Sequence, residues 1–235
     1  MKYFGGKARI SKDLSALLNK ELEDGQAFVD MFCGSCNIVS KIEGERVRVA
    51  NDIHPYLIDM WKHVQSGGEL PDSVTEDEYK EVKANLDDCR WLSGFVGFGC
   101  SFAGKWFGGY ARGAGRDWVG ESKRGALRKA AKLSGVTFNS ESYDRVSAPN
   151  CSLIYCDIPY KGTTGYSSGS FDHEAFYSWA LDMVSQGHRV LVSEYYGSMP
   201  SGCQEIWRKA SKQGMHSKGG TKRETIEVVL EVLKP

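Results

Sequence analysis

The sequence predicts an α/β fold: a mostly parallel sheet flanked by helices, with a lobe inserted in its middle. Three observations predict it. Short apolar runs alternate with helical periodicities at both ends of the chain. Two of those runs end at aspartates, at Asp52 and Asp157. Between them, residues 90–120 are rich in glycine and aromatic residues and follow no clean period.

Residues 12–23 carry Leu14, Leu17, Leu18 and Leu22 at helical spacing. Residues 27–32 form an apolar run with the character of a buried strand. It ends in the small-residue loop 33–37, after which a helix is expected. Residues 46–52 form a second strand. Pro55 suits the first turn of a helix reaching about Gln65. Thr75 with Glu78 is a capping box that opens an acidic helix. Residues 121–133 again look helical, and 152–156 form a short buried strand ending at Asp157. Asp172 caps a helix with Phe176, Trp179, Ala180, Met183 and Val184 on one face. Strands follow at 189–193, 204–210 and 225–233, and the alternation in the last suggests a hairpin at the end of the sheet. The expected organisation is a catalytic domain of residues 1–65 and 150–235, with 66–149 as an inserted target-recognition region.

Composition narrows the class. With 235 residues, 41% apolar and 26% charged, the chain can bury a core without staples. No apolar run approaches the roughly 20 residues needed to span a bilayer. The first residues show no apolar leader core. These features predict a soluble, cytoplasmic protein with no membrane association and no obligatory protein partner. The seven cysteines are odd in number and irregularly spaced, which suits free thiols. Net charge is zero, but charge is unevenly placed. Residues 69–88 hold eight acids against two lysines. Residues 100–132 hold eight basic residues against two acids, interleaved with Phe102, Trp106, Phe107, Tyr110 and Trp118. Basic and aromatic side chains on a glycine-rich backbone suit phosphate contact and base stacking. Lys105, Arg112, Arg116 and Arg124 are the candidates for nucleic-acid contact.

Open α/β sheets bind ligands at the carboxyl ends of their strands. Small residues in loop 33–37 let backbone approach a ligand. Asp52 lies 18 positions after Gly34, at the end of the next strand. An acid there can accept hydrogen bonds from both hydroxyls of a ribose, so the pair suggests a nucleoside pocket. Asp157-Ile158-Pro159-Tyr160 is more specific. An exocyclic amino nitrogen on a base is a poor nucleophile, because its lone pair is delocalised into the ring. A carboxylate accepting one N–H and a backbone carbonyl accepting the other pull that nitrogen toward tetrahedral geometry. Pro159 fixes the backbone so that the Ile158 carbonyl points inward. Tyr160 offers a flat face to an extruded base. The methyl donor is then a sulfonium held in the nucleoside pocket.

These motifs resemble the D12 class of DNA adenine methyltransferases, the Dam-type group, including its small phage- and prophage-encoded members. Tyr3-Phe4-Gly5-Gly6-Lys7 is similar to the family's N-terminal motif. Asp30-Met31-Phe32-Cys33-Gly34-Ser35-Cys36 resembles its loop, Asn51-Asp52-Ile53 its second-strand acid, and Asp157-Ile158-Pro159-Tyr160 its Asp-Pro-Pro-Tyr signature. Ser193-Glu194-Tyr195 and Trp207 resemble later elements of the smaller members. The resemblance implies a Rossmann-like, S-adenosylmethionine-dependent methyltransferase sheet of seven strands, mostly parallel, with one antiparallel strand near an edge. It implies that Tyr3, Lys7, Asp30, Phe32, Gly34, Asp52, Ile53 and Asp157 bind the donor. It implies that Asp157, Ile158, Pro159 and Tyr160 hold the target base of double-stranded DNA. Two positions depart from the pattern. Cys36 replaces the loop's second glycine, and Ile158 replaces the signature's first proline.

Other readings remain. Ile158 also suits ribosomal RNA adenine methyltransferases, and cytosine N4 is a further target. Cys33-Gly34-Ser35-Cys36 is also a Cys-x-x-Cys, so a redox pair, or a zinc site with Cys151 and Cys156, is a competing use. A scaffold that binds DNA without methylating it is the reading from a different class.

Overall fold

The computed structural model describes residues 1, 3–113, 115–160, 171–197, 199–212 and 224–234. It is an α/β structure whose seven strands form a mixed sheet in the order β3-β2-β1-β4-β5-β7-β6. The chain divides into two compact units, Met1–Ser147 and Ala148–Pro235.

The first unit opens with α1 (Ser11–Glu21), which buries Leu14 and Leu18 as the leucine spacing predicts. Strand β1 (Phe28–Asp30) is buried along its whole length. The helix expected after loop 33–37 is only a single 3-10 turn, Val39–Lys41. The next strand, β2 (Arg48–Asn51), pairs in parallel with β1, Phe28 opposite Arg48. Helix α2 (Pro55–Gln65) starts on Pro55 and buries Leu57, Ile58, Met60, Trp61 and Val64. Helix α3 (Glu76–Ala84) opens on the capping box: Thr75 Oγ1 accepts the Glu78 amide at 3.2 Å, and Glu78 accepts the Thr75 amide at 2.6 Å.

The aperiodic stretch begins as α4 (Arg90–Gly94) and widens into a π-helical turn, Phe95–Gly99. Glycines permit it. A β-carbon on Gly94 would lie 2.0 Å from the Tyr56 carbonyl oxygen, and one on Gly97 would lie 2.3 Å from the Trp106 ring. Helix α5 (Trp118–Ala130) is capped by Asp117, whose carboxylate accepts the Gly120 amide at 2.7 Å. Strand β3 (Val136–Asn139) then pairs in parallel with β2. This strand lies inside the segment expected to be a recognition lobe, and its four residues were too few to stand out by period.

In the second unit, β4 (Leu153–Cys156) is buried throughout and pairs in parallel with β5 (Arg189–Tyr195). Helix α6 (His173–Ser185) is capped by Asp172, as the sequence predicts, and packs on β5. Strand β6 (Cys203–Lys212) pairs antiparallel with β7 (Glu224–Val232), and β7 pairs antiparallel with β5. The reversed strand is therefore β7. A half-buried ion pair, Arg189 Nε to Glu231 at 2.6 Å, joins β5 to β7. Among the described residues no helix is long and apolar enough to cross a membrane.

Helix α4 approaches α2 so closely that backbone meets backbone at Gly94. Gly94→Ala is expected to destabilise the protein by about 1–3 kcal/mol through overpacking. Urea denaturation checks this; an unchanged midpoint would refute the close approach.

Candidate functional site

In the first unit, the loop after β1 is held from several sides. The Cys33 amide donates to the Asn51 carbonyl at 2.7 Å, and the Cys36 amide closes a turn onto the Cys33 carbonyl at 2.7 Å. The Gly34 amide donates to Asp52 Oδ2 at 2.9 Å. Three loop carbonyls are taken by side chains: Gly34 by Trp61 Nε1 at 2.9 Å, Ser35 by Lys129 Nζ at 2.5 Å, and Asn37 by Lys41 Nζ at 2.7 Å. Asp30 reaches past the loop and accepts the Val39 amide at 3.2 Å. That bond caps the 3-10 turn at its N-terminal end.

Two residues of the loop have left-handed backbone, Gly34 at φ 47° and Cys36 at φ 53°. Glycine adopts that region freely, whereas Cys36 does so at a cost of about 1 kcal/mol or more. A β-carbon on Gly34 would sit 2.9 Å from Tyr3 Cε1, because the Tyr3 ring lies directly on this residue.

Asp52 is buried, and its two oxygens accept the amides of Gly34 and His54 at 2.9 and 3.0 Å. Burial lifts its carboxyl to about 6, although both amide bonds pull the other way. His54, whose amide Asp52 accepts, belongs to a cluster of rings. Tyr3 packs on Phe98 with ring centroids 5.0 Å apart, His54 meets Phe98 at 4.8 Å, and His54 meets Trp106 edge-on at 4.1 Å. Burial lowers the His54 imidazole to about 4, so it is neutral at physiological pH.

The first unit thus brings Tyr3, Gly34 and Asp52 together. Lys7 is buried and follows the turn that Gly6 makes onto the Tyr3 carbonyl. Phe32 is half-buried against Tyr143 at 5.9 Å, and Ile53 is 57% exposed. Sequence reading overlooked four loop-holding residues: Lys41, Asn51, Trp61 and Lys129. Asn51 bonds to Met31 and Glu141, joining the chain after β1 to the chain after β3. Lys129 belongs to the basic run, yet it follows Ser122 and Ala126 along the buried face of α5. That helical spacing was the signal. Burial lowers its ammonium to about 8.

The second unit holds the Asp157-Ile158-Pro159-Tyr160 turn. Asp157 directly follows the buried β4, Ile158 is buried and Tyr160 nearly so. His173 Nε2 lies 2.9 Å from the Pro159 carbonyl, and since a carbonyl only accepts, the ring nitrogen donates. The Tyr160 ring stands edge-on to Tyr195 at 4.3 Å, and its hydroxyl donates to Glu227 Oε2 at 3.3 Å. Tyr195, Glu227 and Lys209 lie directly opposite one another across β5, β7 and β6. Burial, followed by the charges of Asp157 and Glu227, pushes the Tyr160 phenol well above its ordinary value. The phenol therefore stays neutral and can donate.

The basic and acidic runs meet within the first unit. Arg112 pairs with Glu76, and Lys123 with Asp72 at 2.7 Å. Arg116 makes a two-pronged contact with Glu121 at 2.8 and 2.7 Å and lies over the Trp118 ring at 4.1 Å. Arg124 pairs with Asp117 at 3.2 Å, and Lys105 lies over the Phe4 ring at 4.5 Å. Among the described residues, no group of three or more histidine, cysteine or acidic side chains is placed to hold a metal ion.

Residues 3–88 match the D12 class N6 adenine-specific DNA methyltransferase family. That span holds the Tyr3–Lys7 motif, the loop after β1 and Asp52; the Asp157–Tyr160 turn, Tyr195 and Trp207 lie outside it. No curated protein matches the chain significantly. Among solved structures, Trm5b from Pyrococcus abyssi is similar at 11% identity and a TM-score of 0.43; the alignment covers 99% of this chain and 51% of Trm5b, so the chain spans about half of that protein. An rRNA methylase from Streptococcus thermophilus is similar at 12% identity and a TM-score of 0.38, covering 96% of this chain and 98% of the other.

Gly34→Ala meets both the left-handed backbone and the Tyr3 ring. It is expected to cost about 1–3 kcal/mol of stability. A denaturant midpoint equal to that of the parent protein would show that the loop does not need glycine there.

Proposed function

We propose that this protein transfers the methyl group of S-adenosylmethionine to the exocyclic N6 of adenine in double-stranded DNA, at a specific sequence, with the target base flipped out of the helix. The observation that carries the reading is the Asp157-Ile158-Pro159-Tyr160 turn at the end of β4, with its phenol held neutral against Glu227 and Tyr195. When bound, the donor supplies an electrophilic methyl carbon on a sulfonium centre. The chain's residues do the rest by positioning and electrostatics. Asp157 accepts one N–H of the target amino group and the Ile158 carbonyl accepts the other. Tyr160 carries the extruded base on its face. Held by Tyr3, Gly34 and Asp52, the donor would supply the methyl group that replaces one amino proton on N6, that proton passing to solvent.

On this reading Asp52 accepts the donor's ribose hydroxyls, and Tyr3, Lys7, Asp30, Phe32, Gly34 and Ile53 surround the rest of the donor. Lys105, Arg112, Arg116 and Arg124 contact DNA phosphates. The ion pairs of the three arginines are exposed and worth little to stability, so phosphates can displace the acids at small cost. Residues 66–149 supply target recognition, and 1–65 with 150–235 the catalytic domain. Ile158 favours one second reading, adenine in RNA.

Incubating the protein with labelled donor and duplex DNA, digesting the product and identifying the nucleoside is expected to give N6-methyladenosine's deoxy form. Label on RNA alone, or on cytosine, would replace this reading. Asp157→Ala is expected to lower turnover at least about a hundredfold. Full turnover in that variant would remove the mechanism.

Asp52 makes donor affinity pH-dependent. Only the ionised carboxylate accepts both ribose hydroxyls, and its acid form dominates below about pH 6 in the free protein. Calorimetric affinity for S-adenosylhomocysteine is expected to be flat above about pH 7 and to fall roughly tenfold per unit below 6. Asp52→Asn flattens that profile. Stability of the free protein follows the opposite sign, since a raised folded-state value means the folded form holds more protons. The Asp52 contribution is greatest in acid and declines as pH rises from 3.8 to about 6.

A further inference from the structure

A cavity of about 490 Å³ opens in the first unit between α1, the 3-10 turn, the start of β2 and the end of α5. Lys12, Lys41, Arg48 and Lys132 line it, with Glu43 as the one acid. Among the described residues none of these four cations pairs with a carboxylate. Lys41 Nζ donates to Ser11 Oγ at 2.8 Å and to the Asn37 carbonyl at 2.7 Å. Arg48 donates to the carbonyls of Lys132 and Ser134 at 3.0 and 2.7 Å. Four other basic residues of the middle segment behave differently, since Arg112, Arg116, Lys123 and Arg124 all meet acids.

Four cations around one concave space repel one another, and a bound anion relieves that repulsion. Burial lowers the Lys41 ammonium, and the neighbouring charge of Lys132 lowers it further. The floor is preorganised as well. Asn19 bridges it, donating to the Lys41 carbonyl and accepting the Glu43 amide, both at 3.0 Å. The volume is that of a small-ligand site. It is not the candidate donor site. Arg48 begins β2 and Asp52 follows its last residue, so about 10 Å of strand separates the two ends.

We infer that this cleft is a second binding site, one for phosphate-bearing anions, in which Lys12, Lys41, Arg48 and Lys132 together contact a phosphoryl group. The inference does not depend on methyl transfer. The phosphate has two sources, a free phosphorylated molecule or the backbone of the nucleic acid. Lys41 also gives the site a route to the loop after β1, because the same ammonium holds the Asn37 carbonyl.

The test is titration of the full chain with inorganic pyrophosphate at low salt, followed by calorimetry. Saturable binding is expected. It should weaken at least tenfold in Lys12→Glu/Lys132→Glu, whose two side chains are exposed and outside the candidate catalytic machinery. Glu43→Gln, which removes the one negative charge, should tighten it. S-adenosylhomocysteine should not compete. A parallel titration with a short duplex separates the sources. If duplex affinity falls with that of pyrophosphate and the salt slope drops by about two, the backbone is the ligand. If only pyrophosphate affinity falls, a free phosphorylated molecule is. No saturable pyrophosphate binding, equal affinity in parent and charge-reversed protein, or displacement by S-adenosylhomocysteine would each overturn the inference.

Discussion

The hydrogen bond from the Gly34 amide to the buried Asp52 carboxylate is the constraint on which the candidate site depends. It ties the loop after β1 to the end of β2, the two strand ends that the proposed nucleoside pocket uses. The bond exists because Asp52 has been taken out of water, and burial raises its carboxyl despite two amide donors. Such a carboxylate holds its partners firmly and titrates near neutrality. With the Gly34 amide fixed, its carbonyl goes to Trp61 and the next to Lys129. In the left-handed turn the Tyr3 ring lies so close to Gly34 that a β-carbon there would meet it at 2.9 Å.

The second unit reaches rigidity by another route. There the register of three strands sets Tyr195, Glu227 and Lys209 in one row. Tyr160 lies edge-on to the first of these and donates to the second. A phenol that is buried and close to carboxylates stays protonated, which keeps its ring in place as an uncharged face. His173 closes the same turn from the start of α6 through the Pro159 carbonyl. The turn is thus held from a helix and from the sheet at once.

Charge is distributed by the same logic. The acidic and basic runs look like separate fields in the sequence, yet Glu76 meets Arg112 and Asp72 meets Lys123. Much of the middle segment's positive charge is therefore answered within the unit. The four cations of the cleft, which meet no acid among the described residues, lie far apart in sequence, at Lys12, Lys41, Arg48 and Lys132. Only the packing of α1, β2 and α5 gathers them.

What the sequence determined by itself was most of the elements and the motifs on which the proposed chemistry rests. Proline and glycine positions, caps at Thr75 and Asp172, and apolar runs ending in aspartate are local signals, so the strands at Asp30, Asp52 and Asp157 were legible without a structure. The motif order was too, and it carried the family resemblance. Strand β3 was not legible, because four residues carry too little period to separate a strand from a loop. Neither was the single 3-10 turn where a helix was expected, since Asp30 reaching back to Val39 is a contact made across nine residues. The tertiary structure alone decided which charges are paired and which are not, and that Lys129 faces the loop while its neighbours on α5 face solvent. Those outcomes follow from how helices pack, and packing brings together side chains whose separation in sequence says nothing of their separation in space.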